Sequence, residues 1–157
     1  MIAKPALLRF LARTPVRTFV LAPIAVAAFE FAMRGRALIF DPLGLPLLAW
    51  GYLQYRLVGR YRIARGGGGP GLEVPPERLV TSGPYRFTRN PMYLGHLIFF
   101  AGLAVTFRSY FALALFLGHA VWFDRRVRAD EARLAARFGT EYTDYMGRVR
   151  RWLPGLA

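Results

Sequence analysis

The chain has 157 residues, of which 55% are hydrophobic, with a mean hydropathy of +0.27 and a formal net charge of +13. That length suits one domain, and high hydropathy coexists with high charge when apolar residues gather in blocks and charges lie between them, as a bilayer requires. The absence of cysteine excludes disulfides, thiolate nucleophiles and zinc–thiolate or iron–sulfur sites, and with two histidines a metal site lacks ligands.

In chain order, the N-terminal segment carries Lys4, Arg9, Arg13 and Arg17 but no small-residue cleavage motif after a compact apolar core. The first apolar block is therefore expected to be a retained helix, not a removed leader. Four blocks follow, Thr18–Met33, Leu43–Val58, Pro91–Phe107 and Ser109–Phe123, and each predicts a helix because hydrocarbon offers the backbone no other hydrogen-bond partner. They sit at or below the roughly 17-residue lower edge of a bilayer span. Flanking Arg17, Arg34 and Arg108 extend such spans by snorkelling, or the bilayer thins. Only Arg108 separates the third and fourth blocks, which predicts a tight helical hairpin.

Of the 22 basic residues, 21 are arginine, and they flank the apolar blocks. That placement argues for a membrane surface as partner and against nucleic acid. One side of the predicted bundle has only Arg34, Arg36 and Arg108, while the N-terminal segment, the central loop and the C-terminal segment hold most of the rest. The positive-inside rule then predicts four spans with both termini cytoplasmic, in an integral protein of a bacterial inner membrane. The fold class expected is all-α, a polytopic membrane protein with C-terminal interfacial helices.

The central loop, Arg65-Gly66-Gly67-Gly68-Gly69-Pro70-Gly71 followed by Val74-Pro75-Pro76-Glu77, reads as a linker. A phosphate-cradling glycine loop would follow a strand and carry a lysine, and neither is present. After the fourth block, Asp124–Phe138 predicts a helix with Gly139 as its C′ residue. Thr140 is a candidate cap for a second helix, whose Tyr142, Tyr145 and Val149 share a face. Trp152 suits the headgroup region.

Two stretches carry candidate chemistry. In Ser82–Gly95, Asn90-Pro91 reads as an N-cap and first helical residue. The same feature creates an anion-attracting helix start beside Arg86 and Arg89, with Tyr85 and Tyr93 offering flat faces to a purine or a sulfonium. In Asp124–Leu134, Asp130 and Glu131 are either helix-surface ion-pair partners of Arg126, Arg133 or Arg137, or carboxylates accepting the hydroxyls of a ribose.

Gly83-Pro84-Tyr85-Arg86, Arg89-Asn90-Pro91-Met92-Tyr93, Asp130-Glu131 and Phe138-Gly139-Thr140-Glu141-Tyr142, with Tyr145 and Arg148-Val149, follow one another in an order that resembles the isoprenylcysteine carboxyl methyltransferase and phospholipid methyltransferase superfamily of integral-membrane enzymes. The resemblance covers about half the chain, from Leu79 to Pro154. It implies a helical membrane core with S-adenosylmethionine held at the cytoplasmic face. It also implies that Tyr85, Asn90, Pro91, Tyr93, Leu94 and Glu131 line the cofactor site and that Arg126 stands near an acceptor carboxylate as the catalytic residue. The whole chain, 1–157, is then one methyltransferase domain, with N-terminal spans and linker over 1–78 and a cofactor-binding half over 79–157. The expected partners are membrane lipids and a lipophilic small molecule, lipid or lipidated peptide as acceptor, whose methylated atom is a carboxylate, amine or thiol. Two departures stand out: Asn90 replaces the family's usual histidine and cannot act as a general base, and the acidic pair is Asp-Glu where Glu-Glu is usual.

Among the remaining ionisable residues, Glu30 and Arg34 are spaced as a helix-face pair. His96 is either an acceptor-cavity residue or a packed one, and His119 has no evident partner. Gly95 and Gly102 on the third helix, with Ala114 and Gly118 on the fourth, are expected to permit close helix packing and not to bind a ligand. The competing class is a non-catalytic membrane protein or scaffold subunit that keeps the fold. A transporter would need more mid-span polar residues than His96, His119 and Gln54.

Overall fold

The computed structural model describes residues 10–153 except 36, 70, 71 and 73. The features expected at Lys4, Arg9, Arg36, Pro70, Gly71 and Pro154 lie outside the described residues. Among those described the regular secondary structure is all helical, with no strand. Its helices are α1 (Thr14–Met33), α2 (Leu45–Gly66), α3 (Pro91–Phe107), α4 (Tyr110–Phe138) and α5 (Thr140–Arg148), with short 3-10 turns at Pro42–Gly44 and Gly83–Arg86. By length and composition α1 can cross a membrane, and α3 is a shorter apolar helix.

In α1 the turn Arg17–Leu21 is a π-helix. Pro23, two residues past that turn, has no N–H for the carbonyl four residues back, and widening the preceding turn accommodates its ring. The α3–α4 hairpin forms as expected. Arg108 takes the left-handed conformation at φ 45°, and Ser109 then caps α4 by accepting from the Ala112 N–H at 3.0 Å. Arg108 forks onto Asp41 Oδ2 at 2.7 and 3.0 Å, and the Asp41 N–H donates to the Thr106 carbonyl at 2.7 Å. The Glu30–Arg34 pair also forms, at 2.8 Å, with Ser109 Oγ donating to the buried Glu30. Arg34 reaches on to the carbonyls of Phe107 and Arg108. Every charge named at this end has a partner, as burial demands.

The core is centred on α3. Phe99, Phe100 and Leu103 pack with Val26 of α1 and Ala112 of α4, and a second cluster, Tyr93, Phe123 and Val127, lies nearer the helix start. Close approach occurs at Gly95 and Gly102 as expected, and their neighbour is α2. A Cβ on Gly95 would lie 2.9 Å from the Gly51 carbonyl oxygen and one on Gly102 2.8 Å from the Leu48 nitrogen. Gly118 has nothing within 4 Å, so it is not part of a seam.

Two helices outrun their apolar blocks. α2 continues past Val58 to Gly66, and α4 runs unbroken from Tyr110 through Asp124 to Phe138, 29 residues or about 43 Å. Neither junction contains a proline, and the lone Gly59 after Val58 weakens a helix interior by only about 1 kcal/mol without ending it, so the change from apolar to charged residues alters what surrounds the helix and not its backbone. Gly139 ends α4 at φ 56° as expected, whereas the side chain of Thr140 does not cap α5.

Candidate functional site

The ends of α2, α3 and α4, the segment leading into α3, and α5 enclose a cavity of about 230 Å³. Tyr85, Asn90, Pro91, Tyr93 and Glu131, five of the residues singled out from the sequence, line it, together with Asp130. Leu94 and Arg126 do not. Leu94 is partly buried outside the cavity. Arg126 lies with its guanidinium 5.6 Å from the Trp122 ring and close enough to the Tyr93 hydroxyl to act on it electrostatically. His96 is not a cavity residue either: it is fully buried between Phe19, Tyr55 and Phe123, at ring separations of 4.7, 4.8 and 5.7 Å.

One wall is the 3-10 turn and the start of α3. Asn90 occupies the N-cap position, but its side chain does not cap. It donates instead from Nδ2 to the Arg151 carbonyl at 3.1 Å, which Thr88 Oγ1 also reaches at 3.0 Å. Tyr145 from α5 donates to the Tyr85 carbonyl at 2.6 Å, tying that turn to the C-terminal helix.

The opposite wall is α4. The Tyr93 hydroxyl donates to Asp130 Oδ2 at 2.7 Å, and Arg133 pairs with the other Asp130 oxygen. Glu131 is 6% exposed and sits between two arginines. Arg151 forks onto Oε2 at 2.8 and 3.1 Å, and Arg89 Nη2 approaches Oε1 at 3.1 Å. The Arg89 contact is an ion pair without hydrogen-bond alignment, so Oε1 and Arg89 Nε are buried polar atoms with no hydrogen bond. Glu131 in turn holds the Arg151 guanidinium above its usual pKa through those hydrogen bonds.

The third wall is Pro75 and Pro76, from the segment read as a linker, with Leu79 and Val80 from the start of the expected cofactor-binding half. Buried Arg62 of α2 pins this segment by donating to the carbonyls of Val74 at 2.9 Å and Gly69 at 3.0 Å. Gly67, at φ 70°, turns the chain off α2, and the Gly66 carbonyl then accepts from the N–H groups of Glu77 and Arg78.

Burial pushes the Tyr85 hydroxyl up to about 12, against the pull of the Arg62 charge. The Tyr142 hydroxyl also rises to about 12, from burial and then the nearby Glu131 charge. Tyr145 is raised in the same way, mainly by burial. These phenols are neutral at physiological pH. Among the described residues no group of three histidine, cysteine, aspartate or glutamate side chains could hold a metal ion.

Sequence reasoning missed Arg62, Arg151 and the Pro75–Val80 wall. Val74 beside the diproline, with Leu79 and Val80 shortly after it, was the available signal, since apolar residues so close to a linker ask for something to pack against. Nothing local marks Arg151 among its arginine neighbours.

Residues 70–145 match the phospholipid methyltransferase family. The chain is 32% identical over 78 residues to the protein-S-isoprenylcysteine O-methyltransferase of Schizosaccharomyces pombe, covering 48% of this chain and 33% of that enzyme. It is 34% identical over 80 residues to the cobalt-zinc-cadmium resistance protein CzcN of Cupriavidus metallidurans, covering 50% of this chain and 37% of that protein. A solved structure of the eukaryotic intramembrane Ras methyltransferase, an isoprenylcysteine carboxyl methyltransferase, shares the fold at a TM-score of 0.63 and 17% identity, over 98% of this chain and 55% of that one. The fold is that of a helical membrane enzyme of known structure, and the family match falls on the half of the chain that supplies most of the cavity wall. The family match, the curated relatives and the shared fold together support the isoprenylcysteine carboxyl methyltransferase and phospholipid methyltransferase superfamily. The chain spans about half the length of the solved relative, and the matched segment is a third of the S. pombe enzyme.

Proposed function

We propose that this protein transfers a methyl group from S-adenosylmethionine to the carboxylate of a lipophilic acceptor at the cytoplasmic face of a bacterial inner membrane. In this reading α1, α2, α3 and the first half of α4 are four spans, both termini are cytoplasmic, and the whole chain is one catalytic domain. Its support is the arginine distribution and the apolar side chains turned outward, such as Ile24, Leu57, Leu117 and Val121, each more than half exposed.

The observation that carries the cofactor is the single cavity joining Tyr93 to Glu131. Its donor set fits a nucleoside bearing an amino-acid tail. Glu131 Oε1 has no hydrogen bond and can accept from ribose hydroxyls, and Arg89 Nε has none and can donate to the carboxylate of the tail. Tyr85, Tyr93 and Tyr142 add aromatic surface for the adenine and the sulfonium. Asn90 and Pro91 shape the start of α3 beneath them. When bound, S-adenosylmethionine supplies an electrophilic methyl carbon on a sulfonium sulfur.

The protein's own residues then position, exclude water and need not take a proton. Asn90 is no base, and Asp130 and Glu131 are both committed to arginines. A carboxylate acceptor arrives already deprotonated, whereas an amine or thiol would have to lose a proton to a base. Arg126, outside the cavity and beside the Tyr93 hydroxyl, is placed to orient that carboxylate by a forked contact. The acceptor is then a lipid or lipidated peptide whose tail remains in the bilayer.

Calorimetric titration of the detergent-purified protein with S-adenosylmethionine tests the cofactor. The wild type should bind and Glu131→Gln should bind at least about tenfold more weakly. A wild type that shows no binding, as the non-catalytic alternative requires, would refute the proposal. Methyl-labelled cofactor and an S-prenylated N-acetylcysteine probe then test the acceptor, with label expected as a base-labile ester.

A further inference from the structure

Residues Arg150–Trp152 follow α5 and lie across the junction between the turn before α3 and the side of α4. The Arg89 N–H donates to the Arg150 carbonyl at 3.0 Å, and the Arg151 carbonyl accepts from both Thr88 Oγ1 and Asn90 Nδ2. On the other side, Arg151 forks onto Glu131 Oε2, and the Trp152 indole N–H donates to Asp124 Oδ1 at 3.0 Å. Asp124 and Glu131 are two helical turns apart on α4, so this strap grips that helix at two heights and the pre-α3 turn at three consecutive residues.

The fork has a directional consequence. A guanidinium bonded twice to one carboxylate oxygen fixes the side chain while leaving the second oxygen unclaimed by it. Here that second oxygen, Oε1, has the Arg89 charge 3.1 Å away but no hydrogen bond, and Glu131 forms part of the cavity wall. We propose that Arg151, anchored by the Arg150–Trp152 strap, is a positioning residue that presents Glu131 Oε1 to the vicinal hydroxyls of the ligand's ribose. This rests on the cavity being an S-adenosyl site. It also gives Asn90 its task, since its amide holds the strap's carbonyl and takes no part in proton transfer.

The test is titration with S-adenosylhomocysteine and with its 2′,3′-dideoxy analogue, alongside thermal unfolding and circular dichroism. Arg151→Gln should bind S-adenosylhomocysteine about tenfold more weakly than wild type, yet bind the dideoxy analogue within about twofold of it. Arg151→Lys, which keeps the charge without the fork, should fall between. Should Arg151→Gln fail to fold, Trp152→Phe loosens the strap without touching Glu131 and should show the same ligand-dependent loss in smaller measure. Equal loss for both ligands would mean that Arg151 merely holds the fold, and undiminished binding of S-adenosylhomocysteine would mean that it does nothing at the site. Either overturns the proposal. A wild type that binds neither ligand overturns the S-adenosyl reading itself, and this proposal with it.

Discussion

Replacing Gly51 by alanine tests the packing that sets the α2–α3 spacing without touching a cavity side chain. A Cβ there would lie 2.6 Å from the Phe99 nitrogen, 2.7 Å from the Gly95 oxygen and 2.9 Å from the Phe99 Cα. All three are backbone atoms of α3, so no side chain can rotate away and the helices must part by several tenths of an ångström. Overpacking of this kind costs about 1–3 kcal/mol, and alanine's better helix propensity returns up to about 1 kcal/mol. The net loss of about 1–2 kcal/mol corresponds to a fall in Tm of roughly 2–8 °C for a chain of this size. The effect should reach the cavity, because Gln54 of α2 donates to the Pro91 carbonyl at 2.9 Å. Thermal unfolding in detergent reads it, with Gly118→Ala as the control. With nothing within 4 Å of its site, that substitution should leave Tm unchanged or raise it through propensity alone. A Gly51→Ala protein as stable as wild type, or a larger loss from Gly118→Ala, would refute the α2–α3 seam.

Tyr93→Phe keeps the ring and removes the bond to Asp130, so S-adenosylmethionine affinity should drop about threefold to tenfold in titration, and Tyr93→Leu should cost more. Because Arg108 sits in the left-handed region, chemical unfolding should find Arg108→Gly more stable than Arg108→Ala by about 1 kcal/mol, although both lose the Asp41 fork. The Tyr85 and Tyr142 hydroxyls titrate near 12 in the folded protein and near 10 when unfolded. Their contribution is therefore intact below pH 10 and is lost as pH rises from about 10 to about 12, where ionised phenols favour the unfolded chain. Tyrosinate absorbance and helicity followed together should show these phenols ionising as helicity falls, and ionisation of all eight tyrosines near pH 10 with helicity intact would count against it.

Local signals in the sequence located elements well where covalent chemistry marks an end. Asn90-Pro91 and Arg108 bound α3, Ser109 opens α4, and Gly139 closes it. Hydropathy located them poorly where only the surroundings change, as at Val58 and Phe123, because a helix does not register the passage from apolar to charged neighbours. The meeting of the pre-α3 segment with the acidic pair was legible from motif order. The partner face of Gly95 and Gly102 was not, since two small residues seven apart mark a stripe on a helix without saying which neighbour fills it. Arg151 was hidden for a similar reason: among 21 arginines, only tertiary distance shows which one reaches Glu131.

The unbroken α4 makes the two ends of the protein mechanically dependent. Asp130 and Glu131 stand on the same rigid rod as Leu117 and Val121, roughly 15 Å further along from the latter. A tilt of about 5° in the outward-facing half would carry those carboxylates sideways by roughly 1 Å, a displacement comparable to the tolerance of a hydrogen bond. On the proposed reading of α4 as a span and of the cavity as an S-adenosyl site, bilayer thickness and lateral pressure become inputs to ligand geometry, with no hinge between to absorb them.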